Sequence, residues 1–337
     1  MSRSSDKGVR VLFTSAGRRV ELLRAFKQAF ETLNLPGEIT VTDANPLAAA
    51  LQVADHTEIV PRLDHPDYAA VLTDLCRRRH IDVVFPLIDP DVPVLAAMSD
   101  KLAASGTQVA TVPPASVETV QDKWLTLRLF RELSLPTPKS WLPEEAMPET
   151  RAYPLFIKPR TGSSSADTFV VRNAEELSFF QKYVPQPIVQ EFLPGPEVTS
   201  DVICDTRGHV MSVISRRRIE VRSGEVMKGV TCVDPVIIDS CCRIAKALQA
   251  KGPITVQGLY RDDVFHFTEV NARLGGGVPL AIAAGAKVAE WLLASAVGLP
   301  LDLPALGSYE VGVFLTRFDQ SFFLRTEPNG TLQGRHL

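Results

Sequence analysis

The chain has 337 residues, of which 45% are hydrophobic and 22% are charged, values typical of globular rather than disordered or fibrous proteins. Its 36 basic and 39 acidic residues give a net charge of -3, so the composition predicts neither nucleic acid nor a membrane as partner. No run approaches the ~20 apolar residues of a membrane span, and the polar amino terminus does not resemble a secretory signal. Five cysteines without a CxxC pair favour neither disulfides nor zinc, which predicts a reduced, cytoplasmic protein.

The first 114 residues alternate apolar strand patterns with amphipathic helix patterns. The predicted strands are VRVLFTS, EITVTDAN, HTEIV and IDVVFPL. This alternation predicts right-handed βαβ units and a parallel sheet. The turn after the first strand lacks the Gly-x-Gly-x-x-Gly pattern, so a dinucleotide site is disfavoured. An anion at the amino terminus of the following helix, near Ser15, Gly17, Arg18 and Arg19, is a weaker hypothesis that stays open.

Residues 115–140 are predicted to form two helices, the second of which carries Lys123. The stretch YPLFIKPRTGSSSADTFVVRN then predicts a β-hairpin, because two β-prone arms flank a long tip of small residues. Lys158 ends the first, apolar arm, where a buried charge needs a partner such as phosphate. Backbone N–H groups of the loop 161–166 can close over the same phosphate. A surface hairpin with a solvated lysine is the alternative.

The stretch FHFTEVNARLGGG places Glu269, Asn271 and Arg273 at every second position of a β-prone run. In a strand these side chains share one face, which is either a solvated surface or the wall of a site. If Gln257 lies directly opposite Glu269, the connecting loop needs an odd number of residues, for example 262–264. Gln257, Glu269 and Asn271 then offer oxygen ligands that suit Mg²⁺ when phosphate completes the coordination.

Taken in order, Lys123, Lys158, the loop 161–166, QEFLPGPE and the row that ends at Arg273 resemble the ATP-grasp family, most closely its carbamoyl-phosphate-synthetase-like and biotin-carboxylase-like branch. The likeness covers residues 9–300. It implies an α/β fold: ATP-grasp with an N-terminal Rossmann-like (pre-ATP-grasp) parallel-sheet domain. The implied units are residues 1–114 for that domain, 115–188 for a small (lid) subdomain, 189–300 for a large subdomain and 301–337 for a C-terminal extension.

The resemblance also implies roles for individual residues. Lys123 and Lys158 would grip nucleotide phosphates, while Arg273 together with Lys158 would act on the transferring phosphoryl group. Ser163 and Ser164 would also contact phosphate. The hinge residues Glu191, Phe192 and Leu193 would contact the adenine, and Glu197 would contact the ribose. One or two Mg²⁺ (or Mn²⁺) ions would bind Gln257, Glu269 and Asn271.

The run SRRRIEVRSGEVMKG departs from that branch and is similar to a segment of ATP-grasp peptide and amino-acid ligases. Its basic residues Arg216, Arg218, Arg222 and Lys228 are candidates for binding an acyl phosphate or a substrate carboxylate, and Arg18 is a further candidate. A solvated strand edge is the alternative. We find one ATP-grasp unit, no glutamine-hydrolysing domain and no biotin-carrier region, which disfavours a complete carbamoyl-phosphate synthetase.

The resemblance therefore implies an ATP- and Mg²⁺-dependent carboxylate–amine ligase that forms an amide or peptide bond through an acyl phosphate and releases ADP and phosphate. The implied partners are small-molecule carboxylate and amine substrates, amino acids among them, and a homodimer is a further hypothesis. Two alternatives stay open: an enzyme that carboxylates or forms carbamoyl phosphate from bicarbonate, and a non-catalytic ATP-binding regulatory module.

Overall fold

A computed structural model describes residues 8–143, 152–162, 166–326 and 332–334. The amino-terminal part consists of β1 (Val9–Thr14), α1 (Val20–Thr32), β2 (Gly37–Asp43), a 3-10 helix (Ala49–Gln52), β3 (His56–Ile59), α2 (Tyr68–Arg79), β4 (Val83–Pro86), α3 (Asp91–Ala104) and β5 (Gln108–Val109). Its strands form the predicted parallel sheet in the order β3-β2-β1-β4-β5. The order reverses between β1 and β4, so ligands are expected at the carboxyl ends of these two strands.

A four-stranded antiparallel sheet follows two helices. The elements are α4 (Pro114–Gln121), α5 (Lys123–Glu132), β6 (Ser140–Trp141), β7 (Leu155–Pro159), β8 (Phe169–Val171), α6 (Ala174–Tyr183) and β9 (Pro187–Glu191). The strand order is β6-β9-β7-β8, and β7 and β8 are the two arms of the predicted hairpin. The apolar residues of this sheet bury a small core of their own with Leu177 of α6.

The largest sheet has six antiparallel strands. The remaining elements are β10 (Glu197–Cys204), β11 (Val210–Arg222), β12 (Glu225–Cys232), α7 (Pro235–Ala247), β13 (Ile254–Arg261), β14 (Val264–Asn271), α8 (Val278–Ala283), α9 (Val288–Val297), β15 (Phe314–Thr316), β16 (Leu324–Thr326) and β17 (Leu332–Gly334). The strand order is β14-β13-β10-β11-β12-β15, so the carboxy-terminal part of the chain adds the edge strand β15. Strands β16 and β17 form a separate two-stranded sheet.

The hairpin of β13 and β14 confirms the predicted pairing of Gln257 with Glu269, but the predicted loop of three residues is wrong. The loop has two residues, Asp262 and Asp263, whose φ angles of 50° and 59° are those that a tight two-residue hairpin turn requires. An even loop alone would turn Glu269 to the opposite face of the sheet. A β-bulge next to Gln257 shifts the register by one residue and restores the pairing.

The parallel, four-stranded and six-stranded sheets pack through shared apolar cores. Leu274 and Trp291 share a core with Phe13 and Phe85, so the parallel sheet packs against the elements that follow β14. Helix α5 packs on β14, where the rings of Phe130 and Phe267 lie 5.6 Å apart. The predicted boundary after residue 188 falls inside β9, and the division into four units stays a prediction. Within the described part of the chain, every helix is too short or too polar to cross a membrane.

Candidate active site

A cavity of about 780 Å³ lies where the three sheets meet. Each sheet contributes charged side chains to its wall: Asp89 follows β4 of the parallel sheet, Lys158 lies on β7 of the small sheet, and Glu269 lies on β14 of the large sheet. Residues that are far apart in the sequence therefore surround one space of the size that small-molecule ligands occupy.

The oxygen ligands predicted for Mg²⁺ lie together on one wall of this cavity. Gln257 and Glu269 pair directly across β13 and β14, and Asn271 is two residues beyond Glu269 on the same face. In the amide orientation that satisfies its neighbours, Asn271 donates to Glu269 Oε1 at 3.2 Å and accepts from Gln257 Nε2 at 3.2 Å. The structure thus brings the three predicted residues into mutual contact.

Asp89 joins this group, and sequence reasoning missed it. The reoriented Asn271 amide also donates to Asp89 Oδ1 at 3.0 Å, while Arg273 Nη2 lies 2.8 Å from Asp89 Oδ2. The sequence contained one indication of its role: Asp89 is an acidic residue just after β4, and ligands bind at the carboxyl edge of a parallel sheet. Only the tertiary structure shows that this edge faces β14.

These side chains fit a hard cation held jointly with phosphate. Their donors are carboxylate and amide oxygens, the ligand types that Mg²⁺ prefers. In the described ranges, no three His, Cys, Asp or Glu side chains are grouped so as to hold a metal. A magnesium ion at Glu269 would therefore need further oxygens, which the phosphates of a nucleotide would supply.

Lys158 reaches the cavity from β7 and is only 7% exposed. Burial lowers its pKa to about 8, an effect that Glu269 opposes and Lys123 reinforces. Lys123 itself donates from Nζ to the carbonyl oxygen of Gly162 at 2.7 Å, at the near end of the hairpin tip. Two lysines therefore face the same part of the cavity, and their repulsion favours an anion between them.

The amino terminus of α5 fixes the position of Lys123. Asp122 caps the helix by accepting from Trp124 N at 2.8 Å, and its other oxygen accepts from Arg160 Nε at 3.0 Å. The backbone N–H of Lys123 donates to the carbonyl oxygen of Arg160 at 2.8 Å. These contacts join the helix to the strand end that carries Lys158, so both lysines have a common support.

Two family models match the chain and together span about three quarters of it. The model described as the PylC-like N-terminal domain matches residues 11–110, and the model described as the ATP-grasp domain matches residues 120–277. The chain therefore contains an ATP-grasp domain at residues 120–277. This result confirms the family and the fold class that the sequence motifs predict.

Individual relatives are distant from this ATP-grasp protein. A D-alanine–D-alanine ligase of Fusobacterium nucleatum is 24% identical in an alignment of 195 residues that covers 54% of this chain and 64% of that relative. The L-amino acid ligase of Bacillus licheniformis is 20% identical at a TM-score of 0.66, covering 87% of this chain and 75% of the other. The biotin carboxylase domain of Hydrogenobacter thermophilus 2-oxoglutarate carboxylase, solved as a dimer with MgADP, ADP and bicarbonate, is 14% identical at a TM-score of 0.73, covering 91% and 74%. At these identities the solved structures establish the shared fold.

The predicted adenine and ribose contacts of the ATP-grasp site also line the cavity. Glu191, Phe192 and Leu193 lie on its wall. The side chain of Glu191 is engaged elsewhere, because it accepts from Lys139 N at 2.9 Å and forms an ion pair with Arg261 at 2.8 Å. The backbone of the hinge is therefore the part that a base can contact, and the role of these residues stays a prediction.

Glu197 and Arg218 form a pair at the same wall, with Arg218 Nη1 2.6 Å from Glu197 Oε1. Burial raises the pKa of Glu197, and the charge of Arg218 offsets part of that effect. Arg216 is buried against Asp201 in a second ion pair. Both arginines line the cavity, but each already has an internal carboxylate partner, which leaves less of their charge for a substrate, and their role stays a prediction.

Two predicted residues of the described structure, Lys228 and Arg222, do not line the cavity. Lys228 pairs with Glu220 at 2.6 Å on the half-exposed surface of β11 and β12, as a solvated strand edge would. Ser163 and Ser164 lie outside the described residues. Arg222, the fourth basic residue of the same run, pairs with Asp319 at 2.9 Å and also lies away from the cavity. The basic run thus divides into two cavity residues and two surface residues. Regular alternation would place Arg222 on the same face as Arg216 and Arg218, but the pairing of β11 with β12 shifts register twice between Arg218 and Val221.

We expect the affinity for ATP to fall as pH rises through about 8. If Lys158 holds phosphate, as the resemblance implies, the adjacent anion favours the charged form of the lysine, and ATP binding raises its lowered pKa of about 8. Above that pH the free protein carries a neutral lysine, and binding must take up a proton. Calorimetry at pH 7 and at pH 9, in buffers of different ionisation enthalpy, would measure this uptake. Equal uptake in a Lys158→Met variant would assign the proton to another group.

Proposed function

We propose that this ATP-grasp protein is an ATP- and Mg²⁺-dependent carboxylate–amine ligase that forms an amide or peptide bond and releases ADP and phosphate. One observation carries the proposal: Lys158, Arg273 and the oxygen face of Gln257, Glu269 and Asn271 converge on one end of a single cavity. Such an arrangement surrounds the terminal phosphate of a nucleotide with cations and with ligands for cations, which is what phosphoryl transfer requires.

The reaction proceeds in two steps. An oxygen of the donor carboxylate attacks the γ-phosphorus of ATP, the bond from that phosphorus to the bridging oxygen breaks, and ADP leaves. The amine then attacks the acyl carbon, and phosphate leaves as the amide bond forms. Lys158 and Arg273 hold and orient the phosphoryl oxygens, on which negative charge develops. Magnesium bound at Glu269 and Asn271 would neutralise charge on the same oxygens.

The relatives support this class of reaction. One relative that matches in sequence is a D-alanine–D-alanine ligase, and an L-amino acid ligase shares the fold over 87% of this chain. Both names describe amide formation between small molecules, so we propose amino acids among the carboxylate and amine substrates of this chain. A homodimer and a cytoplasmic location stay predictions from the sequence.

A hydroxylamine trap tests the proposal. The full chain with ATP, Mg²⁺ and a broad pool of carboxylates should release ADP and, at high hydroxylamine concentration, convert the activated carboxylate into a hydroxamate that mass spectrometry identifies. Hydroxamate is expected because hydroxylamine attacks an acyl phosphate in place of the amine. The identity of the hydroxamate would then name the donor carboxylate.

The other outcomes are distinct. ADP release with incorporation of labelled bicarbonate, without any hydroxamate, would favour a carboxylating or carbamoyl-phosphate-forming enzyme. AMP and pyrophosphate would contradict the assignment, because the cationic groups surround the terminal phosphate rather than the α-phosphate. Tight binding of ATP without ADP or hydroxamate from any carboxylate would favour the regulatory module.

A further inference from the structure

A cluster of three arginines, two of which line the cavity, lies near Arg273. Arg18 and Arg19, in the loop between β1 and α1, reach Glu225 on β12 at 2.9 Å and 3.0 Å. Arg317, which follows β15, lies 3.6 Å from the same carboxylate and donates to the carbonyl oxygens of Val226 and Gly276. Three parts of the chain that are distant in sequence thus meet at one acidic side chain.

The charges of this cluster do not balance. Three guanidinium groups share Glu225, and the only further carboxylate among their described ion pairs is Glu21, 3.3 Å from Arg317, so one positive charge is left over. Among the described residues, the polar partner of the Arg19 side chain is Glu225. Burial lowers the pKa of Arg19 to about 10; Glu225 opposes that change, while Arg273, Arg317 and Arg18 add to it. The surplus of positive charge favours a second anion at this place.

The local backbone leaves room for the Arg19 guanidinium. Gly275, Gly276 and Gly277 follow Arg273, and a Cβ atom at Gly276 would collide with the guanidinium of Arg19. Because Gly276 has no side chain, the Arg19 guanidinium can lie directly against the backbone that follows Arg273. Arg18 and Arg19 both line the cavity, and their side chains are 54% and 16% exposed, so their outer N–H groups are accessible.

We propose that Arg18 and Arg19 bind a second carboxylate of the substrate, one that is not phosphorylated. The inference rests on the proposed ligase function and adds to it that one of the two joined molecules carries this extra anionic group. A carboxylate is the favoured ligand because Glu225 already shows that one fits both guanidiniums at 2.9 Å and 3.0 Å. Glu225 itself, whose pKa the arginines lower despite its burial, stays charged and holds the two arginines in place.

The test measures binding rather than turnover. The full chain, saturated with ADP and Mg²⁺, would be titrated by calorimetry with succinate, glutarate and adipate and with the half-amide of each. For the length that fits, the dicarboxylate should bind about tenfold tighter than its half-amide, the value of one charged hydrogen bond. Arg19→Gln should remove this preference and leave the affinity for ADP unchanged. Arg24→Gln, on the exposed face of α1, should keep it.

Each outcome decides the matter. Equal binding of dicarboxylate and half-amide at every length, or a preference that survives in Arg19→Gln, would overturn the proposal. If Arg19→Gln does not fold, Arg18→Gln removes a more exposed guanidinium and should still weaken the preference. A purely structural clamp predicts a lower unfolding temperature in Arg19→Gln with the preference intact. A clear preference without ADP release from any pair of substrates would refute the ligase function and leave the carboxylate site standing.

Discussion

Replacing Glu269 with glutamine is expected to lower the rate of phosphoryl transfer about ten- to a hundredfold at millimolar Mg²⁺, while ATP still binds. The change keeps the shape of the side chain and removes the charged ligand from the face that Gln257 and Asn271 complete. An interaction with a charged group is typically worth about 1.5–3 kcal/mol, which corresponds to that range. ADP release measured against Mg²⁺ concentration should show a requirement shifted to higher concentrations.

The exposed turn of the same hairpin offers a matched control. Asp263→Asn also removes one carboxylate, and asparagine tolerates the positive φ of 59° at that position, so the fold should not change. Its Mg²⁺ dependence should equal that of the unaltered chain. Normal turnover of Glu269→Gln at millimolar Mg²⁺ would show that the polar row on β14 is a solvated strand face and not a metal site.

Lys158→Met is expected to weaken ATP binding about ten- to a hundredfold and to reduce turnover further. Methionine keeps most of the buried stem and removes the ammonium that faces the nucleotide phosphates in our proposal. Because an isolated buried charge costs free energy, the unfolding temperature without nucleotide should not fall. Calorimetry with ATP and a thermal melt of the same samples would measure both effects.

Lys182→Met serves as the control for this variant. Lys182 is an exposed lysine of α6, the helix that packs against the small sheet. Its affinity for ATP should equal that of the unaltered chain. An unchanged ATP affinity in Lys158→Met would remove Lys158 from the phosphate site. A lower unfolding temperature in that variant, with normal binding, would mean that the lysine stabilises the sheet instead.

Short-range pattern was enough to predict much of this site. The period of two in FHFTEVNARLGGG places Glu269, Asn271 and Arg273 on one face, and the structure confirms that Gln257 lies opposite Glu269. The reason given for that pairing was wrong, because a two-residue turn and a β-bulge replace the odd loop. Turn and bulge compensate for each other, and nothing in the alternation of residues reveals a compensated pair.

Short-range patterns could not predict which distant residues complete the site. Asp89 meets Arg273 across 184 positions, and Arg317 meets Glu225 across 92. Each of these side chains looks like an ordinary surface charge within its own segment. The same is true of Lys228 and Arg222, which share a run with Arg216 and Arg218 but lie on the surface.

The sequence by itself determined the alternation of strands and helices, the ATP-grasp family and the row of polar residues on β14. Periodicity and the order of motifs can both be read along the chain without knowing which residues meet in space. Only the tertiary structure decided which charges are already neutralised, such as Arg216 by Asp201, and which are left in excess, such as Arg19 beside Arg18 and Arg317. The physical reason is that Coulomb interactions depend on distance in space and on burial. Both are set when the three sheets pack around the cavity.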